Sequence, residues 1–526
     1  MPADPLSRLE AWKRSFGTAD PGDLEDLLET LAAAEFFDAD SLIRLHETLL
    51  FLRAYPPSLE AARRADVLLN AFDQRLARFS GDTAAFEEGE ASGIAGTTFS
   101  AVFSFEAARS LVRRHPRDIE INYDAWDSSN AGAVLRRLIP LMGEDWPVEA
   151  HVPYSRWIEA SRRKGESGAR WLIEAIARLS IPAREQAELY DSLRLPLLWS
   201  LGASEATRSR MRAPSGELFP HNEPLIRRAA VSVAAELAGP PLEVARVPRR
   251  VADRLLDAIM DTSAVRYREL YGFNHPDPQT MLKAELGRGM TAYLFGVAAE
   301  DRLPLRAYHS GMYFKNGVPC GYIEVLSLFE RAEVGFNLYY TFREGESAWL
   351  YARLMKLLHQ SLGVTCFSVD PYQIGDENPE AIDSGAFWFY RKLGFRPLDG
   401  EVRRLLAREE RRMAREPGRR SGPPTLKRLA RGYILWDGRG DEPGEMDGFR
   451  VRNIGLRAAA AGLPVKGGID TVARLIPEIG QWPEADRAAL RAIRDAKQGP
   501  DETRYLRLTQ RHRRLRAAVL TLGAER

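Results

Sequence analysis

The stretch Asp383-Ser-Gly-Ala-Phe-Trp-Phe-Tyr-Arg-Lys-Leu-Gly-Phe395 decides how the second half of this chain is interpreted. Its aromatic side chains follow the spacing of an amphipathic helix. We expect the helix over residues 384–393 to end at Gly394, because the position after a helix favours a residue that tolerates positive φ. A strand is then expected to begin at Phe395.

Residues 240–400 combine strand and helix patterns. Lys315-Asn316-Gly317 predicts a tight hairpin turn, since Asn-Gly supplies the positive φ values that such a turn needs. Gly287-Arg-Gly289 is expected to end a helix. The pattern predicts strands at 242–247, 291–298, 305–314, 321–328, 333–342, 364–369 and 395–398, and helices at 249–261, 280–286, 345–362 and 384–393.

The composition is that of an ordinary folded protein with several domains. The 526 residues include 74 Lys and Arg against 73 Asp and Glu, so the net charge favours neither a nucleic acid nor an anionic membrane as a partner. Cys320 and Cys366 lie in predicted strands and are expected to be buried thiols. No apolar segment follows Met1, and no apolar run approaches the roughly 20 residues that cross a bilayer. We expect a cytoplasmic protein that does not contact a membrane.

Four segments are expected along the chain. Residues 1–90 show a helical period, and residues 91–235 are mixed but mainly helical. Residues 240–400 carry the strands, and residues 401–526 contain a basic helix, a linker and a small helical extension. The predicted fold class is α+β, with a mainly helical N-terminal region, a mixed β-sheet flanked by helices and a helical C-terminal extension. The basic helix is interpreted as a solvated face, with docking to an acidic partner or nucleic acid as the alternative.

The element order of residues 240–400 resembles that of the GNAT acetyltransferase superfamily. The pattern small–x–x–x–Tyr–x–x–Leu-Gly-Phe at 386–395 is similar to the closing motif of that family. The resemblance covers under a third of the chain and implies a GNAT-like sheet, acetyl-CoA as co-substrate and an amine as acceptor. It also implies that Tyr390 protonates or hydrogen-bonds the departing thiolate. Asp383, where many members have Asn, and Ala386, the small residue, are implied as cofactor contacts.

The strand-to-helix junction at 341–348 is expected to seat the pyrophosphate of CoA. A helix N-terminus leaves backbone N–H groups unpaired and carries partial positive charge, which suits a phosphate. The family pattern Arg/Gln-x-x-Gly-x-Gly/Ala aligns with Phe342-Arg-Glu-Gly-Glu-Ser347, where Phe342 replaces the basic or amide residue and Arg343 is adjacent. Glu344 and Glu346 near phosphates are unfavourable, and an ordinary helix start with Gly and Ser caps is the alternative. The implied cofactor contacts here are Leu338, Tyr340, Phe342, Arg343, Gly345, Glu346, Ser347 and Ala348.

Two glutamates compete for the role of general base. Ala332-Glu333-Val334-x-Phe336 resembles the strand that carries a carboxylate base in the histone-acetylating branch of the family. A carboxylate whose pKa is raised by an apolar cleft is suited to take a proton from an amine. Glu324 on the preceding strand is the competing candidate, and a strand-end glutamate in water is the alternative for Glu333.

The loop at 370–379 is long for its position and lies where an acceptor would enter. We expect Asp370, Tyr372 and Gln373, together with Asn337 on the preceding strand, to bind the acceptor; a surface insertion is an equal alternative. His309 is a lone strand histidine with no cluster at ligand spacing, so no metal site is expected.

These patterns favour an N-acetyltransferase that moves an acyl group from acetyl-CoA to an amine by direct attack. The acceptor is expected to be an amine-bearing small molecule or protein. A non-catalytic GNAT-like binding or scaffold protein is one alternative. An acyltransferase that uses aminoacyl-tRNA is another, and under that hypothesis tRNA is an expected partner.

Overall fold

Capping side chains start several helices of the chain. In the computed structural model, which describes residues 4–17, 20–87, 89–140, 142, 152–214, 216–463 and 467–524, Asp38 Oδ1 accepts a hydrogen bond from Ser41 N at 2.7 Å. Ser58 Oγ accepts one from Ala61 N at 3.0 Å. Each contact satisfies a backbone donor that a helix start leaves free. The chain therefore turns into helix directly after each capping residue.

Two units make up the chain, and they interleave along the sequence. The first consists of Met1–Pro224, Asp253–His275 and Asn316–Pro319. The second consists of Leu225–Ala252, Pro276–Lys315 and Cys320–Arg526. The four segments predicted from the sequence, in contrast, are each continuous along the chain. Helices and strands are both abundant, so the predicted α+β class is confirmed.

The first unit is mainly helical and contains a small antiparallel sheet. Its helices are α1 (Pro5–Ala11), α2 (Pro21–Ala33), α3 (Ala39–Ala54), α4 (Leu59–Asn70), α5 (Phe72–Ala77), α6 (Phe105–Arg114), α7 (Ala131–Leu135), α8 (Tyr154–Ser161), α9 (Gly168–Ala177) and α10 (Ala183–Asp191). Its strands β1 (Thr98–Val102), β2 (Ile119–Ile121) and β3 (Pro196–Ser200) run in the order β1-β3-β2. The sequence analysis missed β3, which is the central strand. Phe99 and Trp199 pack in its core with ring centroids 5.7 Å apart.

A buried polar network joins α3 to the segment after β3. Glu47 accepts two hydrogen bonds from Arg208 Nη2, at 2.6 and 2.7 Å. His46 contacts Glu47 through Nδ1 at 3.0 Å and Ser209 Oγ through Nε2 at 2.9 Å. Each buried charge therefore has a partner, which offsets the cost of its desolvation.

The second unit is built on a nine-stranded sheet. Its strands are β4 (Glu243–Arg246), β5 (Leu282–Gly287), β6 (Met290–Gly296), β7 (Ala307–Lys315), β8 (Val318–Leu328), β9 (Arg331–Leu338), β10 (Cys366–Val369), β11 (Arg396–Pro397) and β12 (Ile434–Trp436). They lie in the order β11-β12-β10-β9-β8-β7-β6-β5-β4. Strands β4 to β9 follow chain order; β4 and β5 are separated by residues 247–281, which include two helices, whereas β5 to β9 succeed one another through short connections. β12 is inserted between β10 and β11 and pairs antiparallel with both.

The remaining helices lie between and after these strands. They are α11 (Val233–Ala238), α12 (Arg249–Ala264), α13 (Tyr271–Asn274), α14 (Ser347–Leu362), α15 (Pro371–Ile374), α16 (Pro379–Asp383), α17 (Ala386–Arg391), α18 (Gly400–Arg415), α19 (Pro423–Leu429), α20 (Val451–Ala460), α21 (Gly468–Arg474), α22 (Glu484–Lys497), α23 (Glu502–Arg511) and α24 (Arg513–Gly523). α12 spans the boundary between the two units, and α13 belongs to the first.

Three sequence predictions are wrong at the level of elements. Of residues 280–286, predicted as helix, all from Leu282 onward lie in β5, whose half-buried alternating pattern suits a strand paired on both sides. Gly287-Arg-Gly289 consequently closes the β5–β6 hairpin, with Arg288 at φ 53°, instead of ending a helix. The strand predicted over 333–342 stops at Leu338, because Phe342 N donates to Tyr339 O and closes a 3₁₀ turn.

Several other predictions are confirmed. Gly394 follows the aromatic helix with φ 98°, in the left-handed region that its predicted capping role requires. Cys320 in β8 and Cys366 in β10 are free and buried. None of the described helices combines the length and apolar composition that a bilayer crossing demands.

Candidate active site

A parallel pair of strands separates in the middle of the large sheet. β9 and β10 pair through Arg331–Cys366, Ala332–Phe367 and Glu333–Ser368. β9 then continues to Leu338 against β8, whereas β10 ends at Val369. From Val334 onward, β9 therefore no longer pairs with β10.

Side chains of β9 alternate between the two faces of the sheet. Glu333 and Asn337 share one face, and Phe336 points to the other. On β8, Glu324 lies opposite Gly335, so it belongs to the Glu333 face. The two glutamates that compete for the role of base are thus diagonal neighbours, roughly 7–8 Å apart at their Cα atoms by the usual geometry of such pairs.

Glu333 lies in a partly buried, arginine-rich setting. Its side chain is 21% exposed, and its carboxylate lies 3.4 Å from Arg306 Nη1. Burial raises the pKa of the Glu333 carboxyl, the Arg306 and Arg331 guanidinium groups act to lower it, and Asp370 adds to the rise. The net rise gives this carboxylate the property that a general base near neutral pH needs.

Tyr433, directly before β12, links Glu333 to Asp370. Burial raises the pKa of Tyr433 to about 12, with further contributions from the carboxylates of Glu333 and Asp370. The Arg331 and Arg450 guanidinium groups lie 5.6 and 5.4 Å from the centre of its ring, within the range of cation–π contacts. Asp370, a predicted acceptor residue, is therefore part of the same cluster as Glu333.

Glu324 has a different environment on the same face. Burial raises the pKa of its carboxyl, and a hydrogen bond from the Tyr308 hydroxyl opposes that rise. A Cβ built on Gly335 would lie 3.7 Å from Glu324 Cβ and 3.9 Å from Gln373 Nε2. The absence of a side chain at Gly335 thus leaves space between Glu324 and the predicted acceptor residue Gln373.

Tyr390 sits in an aromatic cluster against the opposite face of β9. Its ring centre lies 5.4 Å from that of Tyr351 on α14 and 5.6 Å from that of Phe395. Phe336 of β9 contacts Tyr351 and stacks on Phe389 at 6.3 Å. Burial raises the pKa of Tyr390, so its hydroxyl stays protonated at neutral pH. The predicted acid and bases therefore lie on opposite faces of β9, beside the place where β10 departs.

At the junction 341–348, some features favour the predicted binding of the CoA pyrophosphate and others oppose it. α14 begins at Ser347, two residues later than predicted, and no side chain caps its N-terminus. Glu346 is fully buried, with Arg288 Nη2 at 2.7 Å, Lys315 Nζ at 3.7 Å and Ile226 N at 3.0 Å. These cations compensate its charge, and burial lowers the pKa of Lys315 to about 7. The uncapped helix start, half-buried at Gly345 and Ser347, suits a phosphate, whereas Gly345 N already donates to Phe342 O at 2.9 Å and Arg343 is paired with Glu380.

Other predicted site residues lie apart from these contacts. Asp383 is exposed at the end of α16, and Gly385 at φ 67° separates it from α17, so the helix predicted over 384–393 is present but begins two residues later, at Ala386, and ends two residues earlier, at Arg391. Tyr372 is 55% exposed. Phe342 and Ala348 are buried, and Tyr340 lies in the 3₁₀ turn beyond the end of β9 at Leu338.

The sequence analysis missed the second wall of the site. Tyr433, Phe449, Arg450 and Arg452 all come from beyond residue 400 and line a cavity of about 260 Å³ with Glu333. The apolar run Tyr433-Ile-Leu-Trp436 was the available signal, since a short apolar run after a linker is typical of a strand. It went unnoticed because the sheet was assigned to residues 240–400.

These contacts are the basis for interpreting the site. Among the described residues, no group of three or more His, Cys, Asp or Glu side chains is placed to hold a metal ion. No protein-family model matches the chain, and no curated protein or solved structure gives a match.

Proposed function

We propose that this chain is an acyl-CoA-dependent N-acyltransferase whose acceptor is an amine. The observation that carries the proposal is the separation of β10 from β9 after Glu333–Ser368, with β12 on the far side of β10. The freed edge of β9 offers main-chain groups to an extended ligand. Glu333 on β9 and Glu324 on β8 lie on one face of the sheet, and the pKa of each carboxyl is raised. Tyr390, whose hydroxyl is protonated at neutral pH, lies against the other face.

Glu333 is the proposed base, with Glu324 as the competing candidate. A protonated amine cannot attack an acyl carbon, so a carboxylate must take its proton first. Both carboxylates accept a hydrogen bond, Glu333 from Arg306 Nη1 and Glu324 from the Tyr308 hydroxyl, and Glu333 is favoured because it lines the cavity of about 260 Å³.

Tyr390 is the proposed acid. Acetyl-CoA supplies the acyl group as a thioester, whose C–S bond breaks as the new C–N bond forms. The nitrogen loses a second proton to water as the amide forms, and Tyr390 donates its hydroxyl proton to the departing sulfur and regains a proton from water. The amides of Gly345 to Ala348 are the proposed seat for the pyrophosphate.

Calorimetric titration with acetyl-CoA tests the proposed co-substrate. We expect binding by the wild type, loss of binding in Gly345→Asp, which puts a carboxylate at the seat, and unchanged binding in Gly480→Asp. Gly480 is exposed and a Cβ there meets no other atom within 4 Å. No binding at millimolar acetyl-CoA would reject the proposal.

The pH dependence of acyl transfer tests the base. In Glu333→Gln we expect kcat to fall by about 10²-fold or more. In Arg306→Gln the pKa of Glu333 loses a lowering influence and rises, so the acid limb of the kcat/KM profile should move to higher pH. The exposed Arg250→Gln is the matched control. If the limb stays in place while Glu324→Gln abolishes activity, Glu324 is the base.

A second candidate function is a non-catalytic binding protein with the same sheet. The Arg343–Glu380 pair favours it, because that pair withdraws the positive charge expected beside a phosphate. Acetyl-CoA binding without acyl transfer to any amine would support this candidate.

A further inference from the structure

Two adjoining cavities extend from Glu333 along the second unit. The inner one, of about 260 Å³, is lined by Arg306, Arg331 and Glu333, among others. The outer one, of about 610 Å³, lies between α18, α19 and the start of α20. They share Tyr433, Arg450 and Arg452 on their walls. One small molecule can therefore contact both Glu333 and Arg452.

The walls carry more positive charge than the protein itself neutralises. Arg428 and Arg431 line the outer cavity and Arg452 lines both. Within the described part of the chain, none of these three guanidinium groups has a hydrogen bond or ion pair. Arg450 donates to the carbonyl oxygens of Asp447 and Phe449, and its guanidinium lies 5.4 Å from the centre of the Tyr433 ring.

The acidic residues of the outer cavity limit what can bind there. Asp399 caps α18 through hydrogen bonds from Glu401 N and Val402 N, so its carboxylate stays at the cavity wall. Asp376 and Glu401 line the same wall. A phosphodiester backbone crossing this cavity would meet these carboxylates, whereas a small ligand with one anionic group can contact the arginines alone.

We propose that the acceptor is a small primary amine that also bears a carboxylate or a phosphate group. Its amine lies at Glu333, and its anionic group is held by Arg452, with Arg428 and Arg431 extending the site outward. The inference rests on the proposed function for the role of the amine. The recognition of the anion is inferred from the arginines that line the two cavities, because guanidinium groups pair with carboxylates and phosphates through charge-assisted hydrogen bonds.

Amines that differ only in the anionic group test the proposal on the full-length protein. β-Alanine, phosphoethanolamine and n-propylamine are compared by calorimetry without acetyl-CoA and by acyl transfer with it. We expect at least one of the two anionic amines to exceed n-propylamine by about tenfold or more in affinity and in kcat/KM. The better of the two identifies carboxylate or phosphate as the preferred group.

Arg452→Gln and Arg411→Gln give the matched pair of variants. Both residues are exposed, but Arg411 lies outside the cavities. We expect the preference for the anionic amine to drop to about threefold or less in Arg452→Gln and to persist in Arg411→Gln.

The outcomes separate this proposal from the acyltransferase proposal. Arg452-dependent binding of an anionic amine without acyl transfer supports the anion site and rejects the enzyme. Equal transfer to all three amines rejects the anion site and leaves the enzyme. Salt-sensitive binding of tRNA that is lost in Arg452→Gln rejects the small-molecule acceptor, as does the absence of any binding.

Discussion

At the scale of single residues, burial decides which titratable groups depart from their ordinary chemistry. Glu333 and Glu324 have raised pKa values mainly because they are desolvated; Arg306 and Arg331 oppose the rise at Glu333, and Tyr308 opposes it at Glu324. His46 shows the reverse effect, since burial lowers its pKa to about 4 against a contact with Glu47 that acts to raise it. The same physical cause thus prepares a carboxylate to accept protons and keeps a histidine neutral.

His46 makes the stability of the protein depend on pH. Its folded pKa of about 4 lies below its ordinary value of 6.5, so between these values the unfolded chain binds more protons. We expect the free energy of unfolding to fall by about 3 kcal/mol as pH drops from 6.5 to 4 through this residue alone. Urea titrations of wild type and His46→Gln at several pH values measure it. An equal loss of the free energy of unfolding in wild type and His46→Gln between pH 6.5 and 4 would contradict the prediction.

At the scale of elements, local patterns predicted most of the sheet but missed β12 and assigned β5 to a helix. The Asn316-Gly317 turn and the apolar runs of β6 to β10 are local signals, and the structure contains those elements. β12 is short, and what makes it a strand is its pairing with β10, more than 60 residues earlier in the chain. A sequence pattern carries no information on such distant pairing, so Tyr433 and Arg450 could not be assigned to the site.

β12 should be essential to the stability of the second unit, although it is only three residues long. Leu435 is fully buried and lies between β10 and β11 in the sheet. We expect Leu435→Ala to lower the free energy of unfolding by about 2–5 kcal/mol, as core truncations do. Leu456→Ala is the control, because Leu456 is 66% exposed and its loss should cost less than about 0.5 kcal/mol. Denaturant titrations compare the two, and equal effects would show that β12 is dispensable.

At the scale of the whole molecule, the predicted C-terminal extension is part of the second unit. Glu502 accepts a hydrogen bond from Tyr308 N of β7 at 3.1 Å and pairs with the buried Lys497. Gln510 donates to the carbonyl oxygens of Phe329 and Leu362, at 3.0 Å each. The last helices therefore satisfy main-chain groups of the sheet and of α14, which a freely attached appendage would not do.

Breaking the contact at Glu502 should destabilise the sheet itself. Glu502→Ala leaves the Lys497 ammonium buried without its partner, a change that typically costs about 3–5 kcal/mol. We expect faster hydrogen exchange at the amides of β7, Tyr308 included. Glu478→Ala, at an exposed site, is the control. Exchange that accelerates in α22 and α23 while β7 keeps its protection would contradict the prediction.

The two buried thiols give the protein an internal reporter. Cys320 and Cys366 lie on β8 and β10, which flank β9 on either side. Burial raises the pKa of Cys366 to about 12, so its thiolate, the form that reacts with alkylating reagents, is scarce while the strand is in place. The rate at which each cysteine is alkylated in single-cysteine variants therefore reports how often the strands around the proposed cleft separate. A ligand bound in that cleft would lower this rate.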